Sequence, residues 1–158
     1  MAQTLAVAKH LDVLNKKKHH SSMDQMKMHK MMYFSLRESV MGSEDAPPLF
    51  DGTFEAWKYG PVLLEVREEY LTGHMFSGDY GTLTEKETTL VDSVFNRYDK
   101  YDAWTLSSLS HCEYSWLNAR KGLRPGDPCK EKMRLSAIRV DAVREKARRR
   151  GVVLRTLY

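Results

Sequence analysis

The stretch from residue 47 to residue 70 constrains the fold most, because it concentrates aromatic side chains directly before a Gly-Pro pair. Phe50 and Phe54 have no polar group, and aromatic rings bury large apolar areas, so we expect both in the core. Trp57 and Tyr59 carry a polar group at the tip of the ring and stand next to the Gly-Pro corner. Their position suits them either to hold the loop or to contact a partner.

The Gly-Pro pair predicts a sharp change of chain direction. Gly60 lacks a Cβ atom and permits backbone conformations that other residues avoid. Pro61 has the φ angle of a first helical residue and lacks the N–H that would be unpaired there. Asp51-Gly52, further upstream, is a typical hairpin-turn pair. We therefore predict short extended or hairpin segments over residues 49–57, a corner that ends at Gly60, and a helix that begins at Pro61.

Elsewhere, apolar residues at helical spacing predict that most of the chain is helical. The predicted helices cover residues 4–15, 22–41, 61–71, 84–100, a short stretch from residue 103, and about 130 or 135 to 149. The start and stop signals are Ser22 with Gln25, Gly42, Thr84 with Glu87, Asp102 and Gly151. A strand over residues 152–154 is predicted at the end of the chain. The expected fold class is α+β, mostly α-helical, with about five to six helices and a small antiparallel β-hairpin or sheet element.

Two of the predicted helices have informative apolar faces. The second helix carries Met28, Met31 and Met32 beside two aromatic residues. Methionine-rich faces can be adaptable binding surfaces, but the helical spacing favours packing in the core here. The apolar stripe of the last helix consists of Leu135, Ile138, Ala142 and Val143.

Length and composition limit the class of protein. The 158 residues predict one domain, residues 1–158, with a core large enough to fold alone. Apolar runs are too short for a transmembrane helix, and charges within the N-terminal apolar pattern are not typical of a signal peptide. The two cysteines, Cys112 and Cys129, lack metal-ligand spacing and predict free thiols in a reducing cytoplasm.

The charge is uneven along the chain. Residues 130–158 contain ten Lys or Arg against three Asp or Glu, a balance of +7, so the net charge of +4 leaves −3 for the rest. A basic C-terminal helix and tail on an acidic body allows binding to nucleic acid or to an acidic protein. The alternative is a solvated helix face whose last arginines suit the helix dipole.

No pattern of residues predicts a catalytic or metal site. His19 and His20 have no further ligand at a suitable spacing, so a surface loop is favoured over a metal site. His111 and Cys112 are adjacent, and consecutive residues of a helix point in different directions, which disfavours a Cys–His dyad. Instead we expect His111 to hold the following loop by hydrogen bonding while Trp116 fills the core. Glycine motifs for phosphate, the G-x-S-x-G elbow and H-E-x-x-H are all missing from the sequence. A binding or adaptor domain without a cofactor is favoured over an enzyme.

Four segments together resemble a known family. They read K-M-H-K-M-M-Y-F (27–34), L-F-D-G-T-F-E-A-W-K-Y-G-P-V (49–62), L-S-S-L-S-H (106–111) and W-L-N-A-R (116–120). This order resembles the Panacea antitoxin domain of SocA-like antitoxins and phage-associated GepA-like proteins, over about residues 5–143. The motif residues are Phe50, Phe54, Glu55, His111, Trp116 and Arg120. Methionines replace the usual leucines of the first segment, which preserves apolar packing. The arginine-rich end past Arg144 is not part of the family pattern.

The resemblance implies a cytoplasmic, non-enzymatic antitoxin that neutralises a cognate protein toxin by direct contact. SocA-like members act instead as proteolytic adaptors that deliver the toxin to the ClpXP protease. The predicted contact residues are Trp57, Lys58, Tyr59, Gly60 and Pro61. The alternative is a nucleic-acid-binding regulator that uses the basic C-terminal helix and binds less tightly as salt increases.

Overall fold

The computed structural model describes residues 1–151, which contain seven helices and one two-stranded antiparallel sheet. In chain order the elements are α1 (Thr4–His19), α2 (Gln25–Ser39), β1 (Glu55–Trp57), β2 (Gly60–Val62), α3 (Leu64–Thr72), α4 (Glu85–Tyr98), α5 (Ala103–Ser110), α6 (Tyr114–Ala119) and α7 (Leu135–Arg149). This confirms the predicted α+β class with mostly helical content. The helix predicted from residue 103 is divided, because α5 ends at Ser110 and α6 begins at Tyr114.

Helix α2 lies at the centre of the fold. Every residue from Met28 to Arg37 is buried, and α2 contacts α1, α3, α4, α5, α7 and β2. A helix that is buried all round is packed by other elements on every side, as in the core of a larger protein. The methionines of α2 are therefore core residues, as predicted. Phe34 of α2 stacks on Tyr98 of α4 with ring centroids 4.3 Å apart.

The small sheet is a hairpin whose turn differs from the predicted one. Its register pairs Glu55 with Val62 and Trp57 with Gly60, so Lys58 and Tyr59 form a two-residue turn. The prediction of a turn at Asp51-Gly52 was wrong. So was the prediction of a helix from Pro61, which lies in β2. Proline is compatible with this strand because both strands of a two-stranded sheet are edges.

The ends of several helices also differ from the prediction. Helix α1 continues to His19, because the carboxylate of Asp99 binds Lys18 at 2.6 Å and His19 at 3.0 Å and so holds the last turn. Burial alone would raise the pKa of Asp99, but hydrogen bonds from Lys18, His19 and Lys27 lower it to about 2. The histidine predicted to lie in a surface loop thus ties α1 to the end of α4.

Capping explains the other boundaries. The N-cap of α2 is Asp24, whose carboxylate accepts the N–H of Lys27, and not Ser22. Helix α2 ends at Ser39, before the predicted stop at Gly42. The capping box of Thr84 with Glu87 and the Asp102 cap of α5 are both confirmed.

The apolar stripe of α7 is only half buried. Ile138 and Ala142 lie in the core, whereas Leu135 and Val143 are 37% and 61% exposed. The strand predicted over residues 152–154 lies outside the described residues. Both cysteines are free thiols, Cys112 exposed and Cys129 buried. In residues 1–151, no helix is long and apolar enough to span a membrane.

A buried polar network joins α2 to α6 and α7. The Tyr33 hydroxyl oxygen lies 2.9 Å from Glu113 Oε2 and 2.6 Å from Asp141 Oδ2. Arg37 donates from Nη1 to Glu113 Oε1 at 2.8 Å. The backbone N–H of Ser115, in the first turn of α6, donates to the carboxylate of Asp141. Burial raises the pKa of both Glu113 and Asp141. A single hydroxyl hydrogen cannot be donated to two carboxylates at once, so Tyr33 donates to one of the two acids at a time.

Candidate functional site

The four segments that resemble the family pattern in the sequence meet in space at the hairpin of β1 and β2. Side chains from α2, α5 and α6, and Arg120 at the end of α6, donate to its backbone carbonyls. The bonds run from Lys30 Nζ to Pro61 O (3.3 Å), Ser107 Oγ to Tyr59 O (2.6 Å), Trp116 Nε1 to Trp57 O (2.8 Å) and Arg120 Nη1 to Ala56 O (2.9 Å). We call these four side chains the hairpin anchors. Their bonds fix the hairpin on three separate helical segments.

The outer edge of β1 is held by backbone bonds as well. The N–H of Ala56 donates to the carbonyl of Glu131 and the N–H of Met133 donates to the carbonyl of Phe54, each at 2.8 Å. A bridge between Glu55 and Lys132 belongs to the same contact. The segment before α7 thus covers the free edge of β1 and protects it from pairing with another chain.

Lys30 is an unusual anchor because it is a lysine that is 2% exposed. Buried lysines are rare unless they are paired, and in residues 1–151 this one forms no ion pair with a carboxylate. Burial lowers the pKa of Lys30 to about 8. Its ammonium donates to the carbonyl of Pro61, so its role here is to hold β2.

His29, next to Lys30, is a neutral acceptor. Burial, followed by the charges of Lys30 and Arg67, lowers the pKa of His29 to about 3. Its Nδ1 lies 3.2 Å from the backbone nitrogen of Leu63 and accepts that N–H. The bond connects α2 to the residue that joins β2 to α3.

Gly60 has no tolerance for a side chain. Its φ angle is +114°, a conformation that other residues rarely adopt. A Cβ atom at this position would lie 2.5 Å from Ser110 Oγ and 2.7 Å from Lys30 Cε. The close approach of the hairpin to α2 and α5 therefore requires glycine.

His111, Trp116 and Arg120 form a stack beneath the hairpin. The rings of His111 and Trp116 are 4.2 Å apart and nearly parallel, and the Arg120 guanidinium lies 4.9 Å from the Trp116 ring. Trp116 is buried, as expected. His111 Nε2 has no hydrogen-bond partner within residues 1–151. Burial lowers the pKa of His111, as do the charges of Lys30 and Arg120, while the backbone of Lys58 opposes the shift.

Arg120 also organises the loop that follows α6. Its Nη2 donates to the backbone carbonyls of Arg124, Pro125 and Asp127 at 3.3, 3.2 and 2.6 Å. The same guanidinium reaches the hairpin through Nη1. One side chain thus connects β1, α6 and the proline-rich loop.

The predicted contact residues separate into an exposed and a buried group. Lys58 and Tyr59 are exposed and Trp57 is half-buried. We call these three residues the hairpin tip. Gly60 and Pro61 are buried, so they shape the turn and are not available for contact.

The motif residues before the tip have structural positions. Phe50 and Phe54 are buried in the core, as predicted. Glu55 is half-buried, and its Oε1 accepts the indole N–H of Trp57 at 2.9 Å. Of the predicted contact residues, the three residues of the tip are therefore the accessible ones.

Two residues near the tip were missed from the sequence. Trp104 of α5 is 61% exposed and meets Tyr59 edge to face, with centroids 5.5 Å apart. Arg67 of α3 lies 5.3 Å from the ring of Trp57. The helical period of α5 could have identified Trp104, because the buried face of Leu106, Ser107 and Ser110 leaves it on the other side.

In residues 1–151, no group of three or more His, Cys, Asp or Glu could hold a metal ion. Exposed Cys112 lies 3.7 Å from the carbonyl oxygen of Ser108, its hydrogen-bond acceptor. The polar groups close to the hairpin are used to bind its backbone. The geometry is that of a supported loop.

Comparison with curated proteins and with solved structures found no match. A family model described as antitoxin SocA-like, Panacea domain, matches residues 28–117, which is more than half of the chain. The matched region begins in α2, contains the whole hairpin and ends in α6, so it includes three of the four anchors. The chain therefore belongs to the SocA-like Panacea antitoxin family.

Proposed function

We propose that this protein neutralises a cognate protein toxin by direct binding, and that the hairpin tip is part of the surface that contacts the toxin. The observation that carries the proposal is the contrast between the exposed tip and its buried anchors. Tyr59 is 46% exposed, while its carbonyl oxygen lies 2.6 Å from Ser107 Oγ. A loop whose backbone is already ordered loses little conformational entropy on binding.

The residue types of the tip suit a binding surface. Tyrosine and tryptophan are enriched among the residues that dominate protein–protein binding energies, where truncation to alanine costs about 2 kcal/mol or more. The tip combines Trp57 and Tyr59 with the cation of Lys58. The aromatic rings of Trp57 and Tyr59 are presented on an ordered backbone, which favours specific contact over loose association.

A non-enzymatic role agrees with the surroundings of the hairpin. Lys30 and His29 have lowered pKa values, which in other proteins can mark catalytic groups. Here both side chains are buried, and they bind the backbone of Pro61 in the hairpin and of Leu63 directly after it. Their perturbed pKa values follow from a structural role.

The first test is a tagged pull-down from the native host, read by mass spectrometry. We expect one small protein, encoded next to this chain, at stoichiometric yield. Expression of that protein alone should arrest growth, and its expression together with this chain should permit growth. Two results together would contradict the antitoxin proposal. They are that the pull-down recovers no such protein and that this chain does not restore growth arrested by the neighbouring gene product.

The tip itself is tested by Trp57→Ala and Tyr59→Ala. We expect weaker toxin binding with a melting temperature close to that of the parent protein for Tyr59→Ala, because Tyr59 is exposed. The matched control is Leu71→Ala, an exposed apolar residue at the end of α3. If the tip variants and the control bind equally well, the contact surface lies elsewhere.

The finer proposal is that the protein acts as a proteolytic adaptor that delivers the toxin to ClpXP. Its basis is the family alone. The half-life of the toxin should fall when this chain is co-expressed in cells with active protease. A substrate-trapping protease should recover the toxin only when the chain is present. An unchanged toxin half-life with full neutralisation would favour steric blocking.

The rival proposal, nucleic-acid binding by α7, is weakened by the ion pairs of its arginines. Arg149 binds Glu38 at 2.9 Å and Glu145 at 3.0 Å, and Arg148 binds Glu145 at 3.0 Å. These cations are partly neutralised by the protein itself. Nucleic-acid binding predicts affinity that falls steeply with salt, which a mobility-shift assay at two salt concentrations would measure.

A further inference from the structure

The hairpin tip has an aromatic neighbour from a different helix. Trp104, in the first turn of α5, is 61% exposed and contacts Tyr59, which is 46% exposed. Their rings meet edge to face at 5.5 Å. Two large aromatic side chains with this exposure contribute little to the core, and exposed apolar clusters often mark interaction surfaces.

The two rings are held on separate rigid supports. Ser107 of α5 donates to the carbonyl of Tyr59 at 2.6 Å, which ties the turn to the helix that carries Trp104. Asp102 caps α5 by accepting the N–H of Thr105 at 2.7 Å. The spacing of the aromatic pair is thus set by hydrogen bonds between side chains and the backbone that carries the two rings.

Two cations accompany the aromatic rings. Lys58 Nζ lies 5.2 Å from the Tyr59 ring centroid, and the Arg67 guanidinium lies 5.3 Å from that of Trp57. Within residues 1–151, neither cation forms an ion pair with a carboxylate. Both charges remain available to a partner.

Two acidic side chains, one on β1 and one at the start of α5, accept hydrogen bonds within the protein. Glu55 accepts the indole N–H of Trp57. Asp102 accepts a backbone N–H at the start of α5. The exposed rings of Tyr59 and Trp104 are thus accompanied by Lys58 and Arg67 as cations outside the ion pairs of residues 1–151.

We infer that Trp104 completes the contact surface of the hairpin tip, and that the partner presents an acidic segment with a protruding aromatic or aliphatic side chain. This inference rests on the proposed function, because it assumes that the tip contacts the toxin. The apolar side chain would pack against Tyr59 and Trp104. Carboxylates beside it would pair with Lys58 and Arg67, which steers association as well as fixing orientation.

The chemistry of the partner can be tested without the toxin. A random peptide library displayed on phage is selected on the immobilised full-length protein. We expect enrichment of peptides in which an aromatic or large aliphatic residue is flanked by Asp or Glu. Enrichment of basic or uncharged peptides, or no enrichment, would overturn the inference.

Variants locate the binding of an enriched peptide. Trp104→Ala should weaken the peptide Kd by about 30-fold, the equivalent of a hot-spot residue. Its control is Val143→Ala on α7, which has the same 61% exposure. Equal affinity of the two variants would place the peptide elsewhere and reject the role of Trp104.

A charge reversal tests the two cations. The double variant Lys58→Glu/Arg67→Glu should abolish binding of the acidic peptide, and salt should weaken binding by the parent protein. The matched control, Lys17→Glu/Lys86→Glu, makes the same charge change at exposed residues of α1 and α4. If both double variants lose affinity equally, net charge rather than this surface determines binding.

The two proposals can fail separately. If Trp104→Ala neutralises the toxin as well as the parent protein does, the inference fails and the antitoxin function stands. If acidic peptides bind at Trp104 but no toxin is neutralised, the surface is a binding site and the antitoxin proposal fails.

Discussion

Buried polar side chains in the N-terminal (first) half of α2 and in its C-terminal (second) half bind different kinds of partner. In the first half, Lys30 binds the backbone of the hairpin and His29 that of Leu63 directly after it, and burial lowers the pKa of both. In the second half, Tyr33 and Arg37 bind the carboxylates of Glu113, the N-cap residue of α6, and of Asp141 in α7, and burial raises the pKa of both acids. The first half positions a loop, whereas the second half joins helices.

The difference teaches that the two halves respond to protons with opposite sign. A group with a lowered pKa, such as His29, contributes stability above its ordinary pKa that is lost as the pH falls. A group with a raised pKa, such as Asp141, contributes stability at low pH that is lost as the pH rises through its raised value. Acid should therefore loosen the hairpin before it loosens the joint between α2 and α7.

The largest expected loss of stability comes from removing a contact of the second half of α2. Arg37→Met removes the closer ion-pair partner of buried Glu113, at 2.8 Å, and leaves Arg148 at 3.6 Å, so we expect the free energy of unfolding to fall by about 3–5 kcal/mol. Urea unfolding followed by circular dichroism measures it. The control, Arg97→Met, removes an exposed arginine of α4 and should change stability by about 0.5 kcal/mol or less. Equal effects of the two variants would mean that Glu113 carries no charge in the folded protein.

A slightly smaller loss of stability is expected from disturbing the hairpin that the first half of α2 holds. Gly60→Ala places a Cβ against Ser110 and Lys30 at a positive φ angle, and we expect a loss of roughly 3 kcal/mol. Gly42→Ala is the control, because a Cβ there meets no atom within 4 Å. Hydrogen exchange should show faster exchange at the Leu63 amide and unchanged protection at Ser115. Uniform loss of protection would show that the two halves unfold together.

Acid titration sharpens the comparison. Between pH 6.5 and about 4, His29 lowers the stability of the parent protein with a slope of at most about 1.4 kcal/mol per pH unit. His29→Asn, which retains an acceptor for the Leu63 N–H, should reduce this slope. Asp141→Asn should increase it, because it removes a group that gains stability on acidification. If both variants change the slope in the same direction, the proposed assignment of the two halves is incorrect.

The smallest expected effect concerns Lys30. Lys30→Met leaves the carbonyl of Pro61 without its donor but also removes a buried charge that has no carboxylate partner. The two terms oppose each other, so we expect a net change of about 1 kcal/mol or less in the free energy of unfolding. A loss as large as that of Arg37→Met would mean that Lys30 has a stronger partner than the carbonyl of Pro61.

Periodicity predicted the core and the fold class because both depend on local patterns. The burial of the methionines of α2 and the capping residues of α4 and α5 could be predicted from the sequence alone. The turn did not follow from it, because Gly60-Pro61 fits the start of a helix as well as an edge strand. Tertiary contacts stabilise Gly60 and Pro61 as part of strand β2. These contacts are made by the hairpin anchors and by the backbone of residues 131–133.

The candidate site was predicted in its composition but not in its architecture. Trp57, Lys58 and Tyr59 were identified as a possible contact surface from their position at a corner. The sequence carried no sign that Lys30 is buried, and buried lysines are rare. Its burial depends on the Pro61 carbonyl, which lies 31 residues further along the chain. Such a contact has no local signal.

The three tryptophans of the chain all lie around the hairpin. Trp57 is in β1, Trp104 contacts the turn, and Trp116 lies beneath it with its indole bonded to the Trp57 carbonyl. The intrinsic tryptophan emission of the protein is therefore a local reporter of one small region. Emission from Trp57 and Trp104 should change when a partner binds, and emission from Trp116 should shift when the anchors release. The joint between α1 and α4 at Asp99 contributes no tryptophan signal, so its opening would be invisible to this measurement.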